Sequence, residues 1–183
     1  MTTPKTPLAS LPKGHEGPLL PRPRGAFALG RPGGELKFTW SRFDDLGVRA
    51  LYDALALRSR VFILEQGPYL DPDGVDAQCW HLLGRGEGGA LQACLRVVDP
   101  GVKYPEPSIG RVVTAPEIRG TGLGRGLMIE GIARCTQAWP GQGIRISAQA
   151  RLSRFYARLG FQPVGAEYQE DSIPHLQMWR PAS

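Results

Sequence analysis

Arg119-Gly120-Thr121-Gly122-Leu123-Gly124-Arg125-Gly126-Leu127-Met128 lies in the chain's second half. An apolar run at 109–114 leads into it. A helical pattern expected over 122–138 leads out and stops at Trp139-Pro140-Gly141. Gly120, Gly122 and Gly124 let the backbone approach a ligand closely, because no Cβ stands in the way. The first amides of the following helix have no intrahelical partner, and the helix dipole adds partial positive charge there. Arg119 and Arg125 add full charges. The segment therefore reads as a phosphate or pyrophosphate site. The competing reading is a glycine-rich turn that tightens an ordinary strand–helix joint.

Spacing narrows the ligand. The dinucleotide fingerprint G-x-G-x-x-G fails from Gly120, where Arg125 replaces the last glycine, and from Gly122, where Leu127 does. A P-loop ends in Gly-Lys-Ser/Thr, and no such tripeptide occurs. Arg119, Gly122 and Gly124 instead fit Arg-x-x-Gly-x-Gly. Downstream, Ser153-Arg154-Phe155-Tyr156-Ala157-Arg158-Leu159-Gly160-Phe161 supplies a second motif, FYxxLGF. The interval between them accommodates a helix, a strand and a turn. In this order the two motifs resemble the GNAT superfamily of N-acetyltransferases. Arg58-x-x-Val61-Phe62-x-x-Glu65-Gln66, Ile109-Gly110-Arg111-Val112, Ala148-Gln149-Ala150 and Glu170-Asp171-Ser172-Ile173-Pro174-His175 are similar to its ElaA-like branch. The resemblance covers roughly 36–180.

Working outward, the 183 residues with net charge +5 suit one domain and an appendage. Residues 1–35 are crowded with Pro and Gly and read as a flexible arm, with 36–183 as the domain. Lys5, Lys13, Arg22, Arg24 and Arg31 make the arm basic, as suits a solubilising tail or a contact for an acidic partner. It lacks the apolar core of a signal peptide, and no run of ~20 apolar residues occurs. Cys79, Cys94 and Cys135 form neither an even set nor a CxxC pair, so a reduced, cytoplasmic protein is expected. Cys79, His81 and Cys94 could share one sheet face, but a fourth ligand is not evident and no metal site is assigned.

Strands are expected at 36–41, 78–83, 90–98, 109–114, 144–149, 161–168 and 175–179, the last two flanking a loop at 170–174. Asp44 or Asp45 is expected to cap a helix carrying Val48, Leu51, Tyr52 and Leu55 at helical spacing. In the helix after the glycine loop, Leu127, Ile129, Ile132 and Ala133 are the inward candidates. The fold expected is α/β with a mixed, mostly antiparallel GNAT sheet of about seven strands and helices on both faces.

The resemblance implies acetyl transfer from acetyl-CoA to an amine. Arg119, Gly120, Thr121, Gly122, Leu123, Gly124 and Arg125 would hold the pyrophosphate. Backbone groups of Val112, Val113 and Thr114 would meet the pantetheine and thioester, one N–H stabilising the oxyanion. Gln149 stands where many GNAT proteins have an asparagine that contacts the pantetheine arm, and Ser153 opens the second motif beside it. Direct attack needs no covalent enzyme intermediate, but an amine of pKa ~10.4 must first lose a proton. Glu65 is the first candidate base, with His81 and His175 behind it; Glu65 could equally cap a helix or pair with an arginine. Tyr156 occupies the family's position for protonating the leaving thiolate, or is a core aromatic. Arg111, charged within an apolar strand, pairs with Glu65 or Asp76 or recognises an acceptor's carboxylate. Asp73, Asp76 and Asp171 would form an acidic lip for a cationic acceptor. The expected partner is a small or peptide amine, not nucleic acid or a membrane. Two rivals share these motifs: a non-catalytic acyl-CoA-binding sensor module, and an acyl-transferring synthase of a signal molecule.

Overall fold

The computed structural model of the protein describes residues 28–29, 36–67 and 69–182. The arm expected over 1–35 lies outside them, apart from Ala28–Leu29. Those two residues pair with the first long strand as an edge. Among the described residues nine strands form one sheet: β1 (Ala28–Leu29), β2 (Leu36–Arg42), β3 (Cys79–Arg85), β4 (Leu91–Val98), β5 (Ser108–Thr114), β6 (Ile144–Gln149), β7 (Gln162–Pro163), β8 (Tyr168–Glu170) and β9 (Ile173–Arg180). Their order is β1-β2-β3-β4-β5-β6-β9-β7, with β8 also paired to β9. Every pairing is antiparallel except β5 with β6.

The expected seven strands become nine for two reasons. Ala28–Leu29 adds an edge, and the stretch expected as one strand over 161–168 splits into β7 and β8. The loop expected over 170–174 is also tighter. Glu170 pairs with Ile173 across a two-residue turn, Asp171 and Ser172, at φ 50° and 63°. Positive φ at both central residues matches the right-handed twist of a hairpin. The turn therefore keeps Glu170 within a strand.

Helix α2 (Leu123–Ala138) starts at Gly122, whose φ of 88° reverses the chain out of the glycine loop. Its buried residues are Leu123, Leu127, Met128, Gly131, Arg134, Cys135 and Ala138. Of the four inward candidates Leu127 is buried and Ile132 half-buried, whereas Ile129 and Ala133 face solvent. Gly131 explains the rotation. A Cβ there would stand 3.0 Å from Leu95 Cδ2 and 3.2 Å from Ile109 Cδ1, so the missing side chain lets α2 settle on β4 and β5.

Helix α1 (Val48–Arg58) departs further from expectation. Asp44 and Asp45 fall in a short turn before it, and Gly47 occupies the N-cap without a side-chain bond. Val48 and Tyr52 are exposed, while Ala54, Leu57, Arg58 and Val61 are buried. A charged residue counts against an apolar stripe, so Arg58 hid the true inward face from a periodicity argument. Beyond Arg58 the chain widens into a π-helical turn, Ser59–Ile63. His81 and Arg96 pair on the sheet face linked to Arg58, whereas Leu95 and Ile109 face α2, so helices cover both faces.

Candidate active site

Strands β5 and β6 share one register pair, Ser108 with Arg145. Beyond it they part. On its other side β5 is kinked where its register with β4 slips between Cys94 and Arg96, and Arg111 sits at φ 50°. A cavity of about 610 Å³ opens along the parted edge, lined by 109–114 of β5, the glycine loop, Tyr156 and His175. Past Ser108 the β5 edge has no ladder partner among the described residues, so its N–H and C=O groups are available to an extended ligand.

At one end lies the glycine loop. Gly120 and Gly122 adopt φ 79° and 88°, which no bulky residue tolerates cheaply. A Cβ at Gly120 would meet nothing within 4 Å, and one at Gly124 would have Thr114 Cγ2 3.8 Å away, so the loop faces open space. Arg119, Arg125 and Arg151 border it. Room, helix dipole and cations together fit a pyrophosphate. Thr121 and Leu123 contribute differently from the rest: Thr121 Oγ1 donates to Ile118 O (2.7 Å), and Leu123 is buried. Their side chains serve the loop and the core, leaving their amides for an anion. Gln149 donates through Nε2 to Gln66 Oε1 (2.7 Å) and accepts from Arg151 Nε (2.9 Å). Ser153 opens the short helix α3 (Ser153–Ala157) and does not border the cavity.

Tyr156 is buried on α3 between Phe155 and Phe161, edge-on to both, with ring centroids 5.0 and 6.1 Å away. Among the described residues nothing hydrogen-bonds its hydroxyl, although the residue lines the cavity. Burial pushes its pKa up to about 12, so the phenol stays protonated at neutral pH. The three candidate bases separate. Glu65 lines the cavity, but both its oxygens accept from Arg119, at 2.9 and 3.0 Å. His81 is 4 % exposed, Nε2 is 3.0 Å from Asp76 O, and burial lowers its pKa; it does not reach the cavity. His175 does line the cavity. Its Nδ1 lies 2.8 Å from Ile173 O, an acceptor, so in the neutral ring Nδ1 carries the proton and Nε2 the lone pair.

The acidic turn is not a lip. Arg58, Asp71, Arg111, Asp73, Arg96 and Asp76 close a ring of alternating charge. Arg58 bonds Asp71 (2.8 Å) and Asp76 (2.7 Å). Arg96 bonds Asp73 (2.8 Å) and stands 3.1 Å from Asp76. Arg111 reaches Asp73 (3.2 Å), and its Nε is 2.9 Å from Asp71 Oδ1, poorly aligned for a hydrogen bond. Arg111 thus pairs with Asp71 and Asp73, not with Glu65 or Asp76. Burial alone would raise the pKa of Asp73 and Asp76; hydrogen bonds and charge from Arg96 and Arg58 outweigh it and lower both. Arg96 and Arg111 face the cavity, and Asp73 and Asp76 stand behind them. Sequence reasoning missed Arg58, Asp71 and Arg96 as members. The available signal was a charge inside each of two apolar runs, the same one that singled out Arg111.

One face of β6, β9 and β8 carries Ser147, Gln149, His175, Tyr168 and Glu170. Gln149, His175 and Tyr168 are cross-strand partners, and the others follow at period two. Asp171 borders the same end but is exposed. Among the described residues no group of three or more His, Cys, Asp or Glu side chains could hold a metal ion.

A family model described as an acetyltransferase (GNAT) domain matches residues 100–180. The fold agrees: an acyl-CoA N-acyltransferase from Pseudomonas aeruginosa superposes with a TM-score of 0.75 at 39% identity, over 79% of this chain and 99% of that one. The protein is therefore an acyltransferase of the GNAT type, a fold that implies acyl-CoA as donor. A UPF0039 protein of Synechocystis sp. is 45% identical over 145 residues, 79% of this chain and 94% of its own length. Protein ElaA of Escherichia coli K12 is 39% identical over 140 residues, 75% and 91% respectively. The crystal structure of E. coli ElaA gives a TM-score of 0.74 at 36% identity, covering 79% of this chain and 99% of that one. The chain belongs to the ElaA-like branch of the GNAT superfamily.

Proposed function

We propose that the protein transfers the acetyl group of acetyl-CoA to a primary amine by direct attack within a ternary complex. One observation carries this reading: a single cavity joins the glycine loop, the open edge of β5, Tyr156 and His175. Amides of 120–124 with Arg119 and Arg125 hold the pyrophosphate. The β5 edge takes the extended arm and leaves one N–H for the oxyanion. Holding amine and thioester together removes up to ~7–11 kcal/mol of barrier. His175 is the base, through the Nε2 lone pair that its bond to Ile173 leaves free. Tyr156 is the acid for the departing thiolate. The cysteines take no part, since burial pushes all three thiols up to about 12.

We assign the activity to residues 36–183, with 1–35 as an accessory arm, and place the protein in the cytoplasm, in keeping with three free thiols. No helix among the described residues is long and apolar enough to cross a membrane. Removing residues 2–27 stops short of β1 and is expected to leave acetyl-CoA affinity unchanged in calorimetry.

The test is an acetyl-CoA consumption screen over mono-, di- and polyamines, amino acid derivatives and peptides. Release of CoA matched by an N-acetylated product is expected. Binding of acetyl-CoA without turnover of any amine would overturn the reading in favour of a sensor module.

A further inference from the structure

Glu170 differs from the other carboxylates of the cavity. Glu65 is held by Arg119, and Asp171 is exposed. Glu170 is half-buried, yet among the described residues no Lys, Arg or His nitrogen comes within ion-pair distance. Its hydrogen bonds all go to one oxygen. Ser147 Oγ donates to Oε2 at 2.7 Å and lies 2.6 Å from Tyr168 Oη, which is itself 3.3 Å from Oε2. Oε1 has no partner among the described residues. The Tyr104 and Tyr168 phenols share this end of the molecule, and Tyr104 lines the cavity together with Glu170.

We propose that Glu170 docks a second cationic centre of the acceptor, so that the acceptors are diamines or polyamines in preference to monoamines. This rests on the amine-acetylation reading above. A half-desolvated carboxylate with one unfilled oxygen, beside aromatic rings, is complementary to an ammonium group. The attacking nitrogen is not the one it binds. An ionised partner keeps an ammonium protonated, and attack needs the free amine. Burial would raise the pKa of Glu170, but the Ser147 hydrogen bond, then the Lys103 and His175 charges and Tyr168, outweigh it and hold it below the usual range. That makes Glu170 a weak base and a lasting anion. Lys103 is exposed, with Nζ 5.6 Å from the Tyr104 ring, and can yield to an incoming cation. His175 remains the group for the reacting nitrogen.

Two measurements test this on the full chain. The first compares kcat/KM for 1,4-diaminobutane with that for butylamine in the wild type and in Glu170→Gln. The diamine preference is expected to fall about 10- to 100-fold in the variant, the usual worth of a hydrogen bond to a charged group. The second needs neither turnover nor a variant. N,N,N′,N′-tetramethyl-1,4-diaminobutane has no acetylatable nitrogen, and its affinity for the CoA-loaded wild type is compared by calorimetry with that of N,N-dimethylbutylamine. Tighter binding of the dication supports the docking role. Equal binding of the two, or a diamine preference that survives in folded Glu170→Gln, overturns it. Turnover of amines without such a preference sinks the docking role and leaves acetylation standing. A dication preference without turnover of any amine sinks acetylation and leaves the docking role standing.

Discussion

The glycine loop at 119–125 and the wall made by β6, β8 and β9 border the same cavity but are built from different material. The loop works through backbone: amides, a helix dipole and the absence of three side chains. The wall works through side chains held by other side chains, Ser147 and Tyr168 on Glu170 and the Ile173 carbonyl on His175. A backbone site is compact in sequence and demands glycine. A side-chain site gathers residues from distant strands and demands a register. On the function proposed above, the loop would accept one ligand moiety by shape and charge, while the wall, as acceptor end, could change its substrate through single substitutions.

The largest expected effect falls on the charge ring behind the acceptor side. Asp76→Ala leaves Arg58 and Arg96 short of a buried partner, and such losses typically cost about 3–5 kcal/mol. Urea unfolding should show it; a change below about 1 kcal/mol would mean that water or local repacking replaces the carboxylate. The ring also gives a pH signature. Asp73 and Asp76 have folded pKa values below their unfolded ones, so their stabilisation is present above about pH 4 and is lost as pH falls further. Acid unfolding of the wild type, with a shallower acid slope in Asp76→Ala, is the expected pair of curves.

Next comes the donor end. Gly124→Asp places a carboxylate where the pyrophosphate approaches, on a helical residue whose new Cβ makes an ordinary 3.8 Å contact. Repulsion between close charges near a protein surface is worth several kcal/mol, so acetyl-CoA affinity should fall about 100-fold or more with the thermal midpoint kept. Gly122→Asp is a poorer probe, because φ 88° adds roughly 1–2 kcal/mol of backbone strain to the loss of binding. Unchanged affinity in folded Gly124→Asp would put the anion site elsewhere.

The same contrast explains what was legible in the chain. Strands β2 to β6, the glycine loop and the span of α2 followed from local patterns, because each is written in consecutive residues. The face of α1 was not legible, since it turns a charged Arg58 inward toward aspartates supplied from beyond position 70. Asp73 and Asp76 read as an acidic lip until folding set arginines from α1, β4 and β5 against them. Glu170 was hidden for a geometric reason: Asp171-Ser172-Ile173-Pro174 reads as a loop, whereas positive φ at two non-glycine residues makes it a tight hairpin. Even Tyr156, singled out by its motif, owes its setting to Phe155 and Phe161 and to burial that no pattern states.

Tyr156→Phe probes the junction of the two ends. The ring and its edge-on contacts remain, so the fold should survive. Loss of a proton donor to the thiolate is expected to lower kcat about 10- to 100-fold, the low end of general-acid effects because a thiolate already leaves well. KM for acetyl-CoA should move little, since the lost bond strengthens mainly in the transition state. A raised KM with kcat intact would make Tyr156 a binding residue, and no change in either would leave it a core aromatic.

The smallest effect is the most discriminating, because Glu65 is both a candidate base and the partner of Arg119. Its side chain and that of Arg119 are 36% and 44% exposed, so the pair is worth no more than about 1 kcal/mol and is exchangeable. On the proposed function an arriving pyrophosphate would compete with Glu65 for the Arg119 guanidinium. Glu65→Gln removes the competitor and is expected to tighten acetyl-CoA binding by up to about 5-fold while leaving kcat nearly unchanged. Were Glu65 the base instead, the same substitution would depress kcat by about 10²–10⁴-fold with affinity little altered. His175→Gln supplies the mirror experiment, with the large kcat loss expected there. If Glu65→Gln takes the large loss and His175→Gln does not, the assignment of the base reverses. The proton would then leave through the donor end, and the division between a backbone-built donor site and a side-chain-built acceptor site would no longer hold.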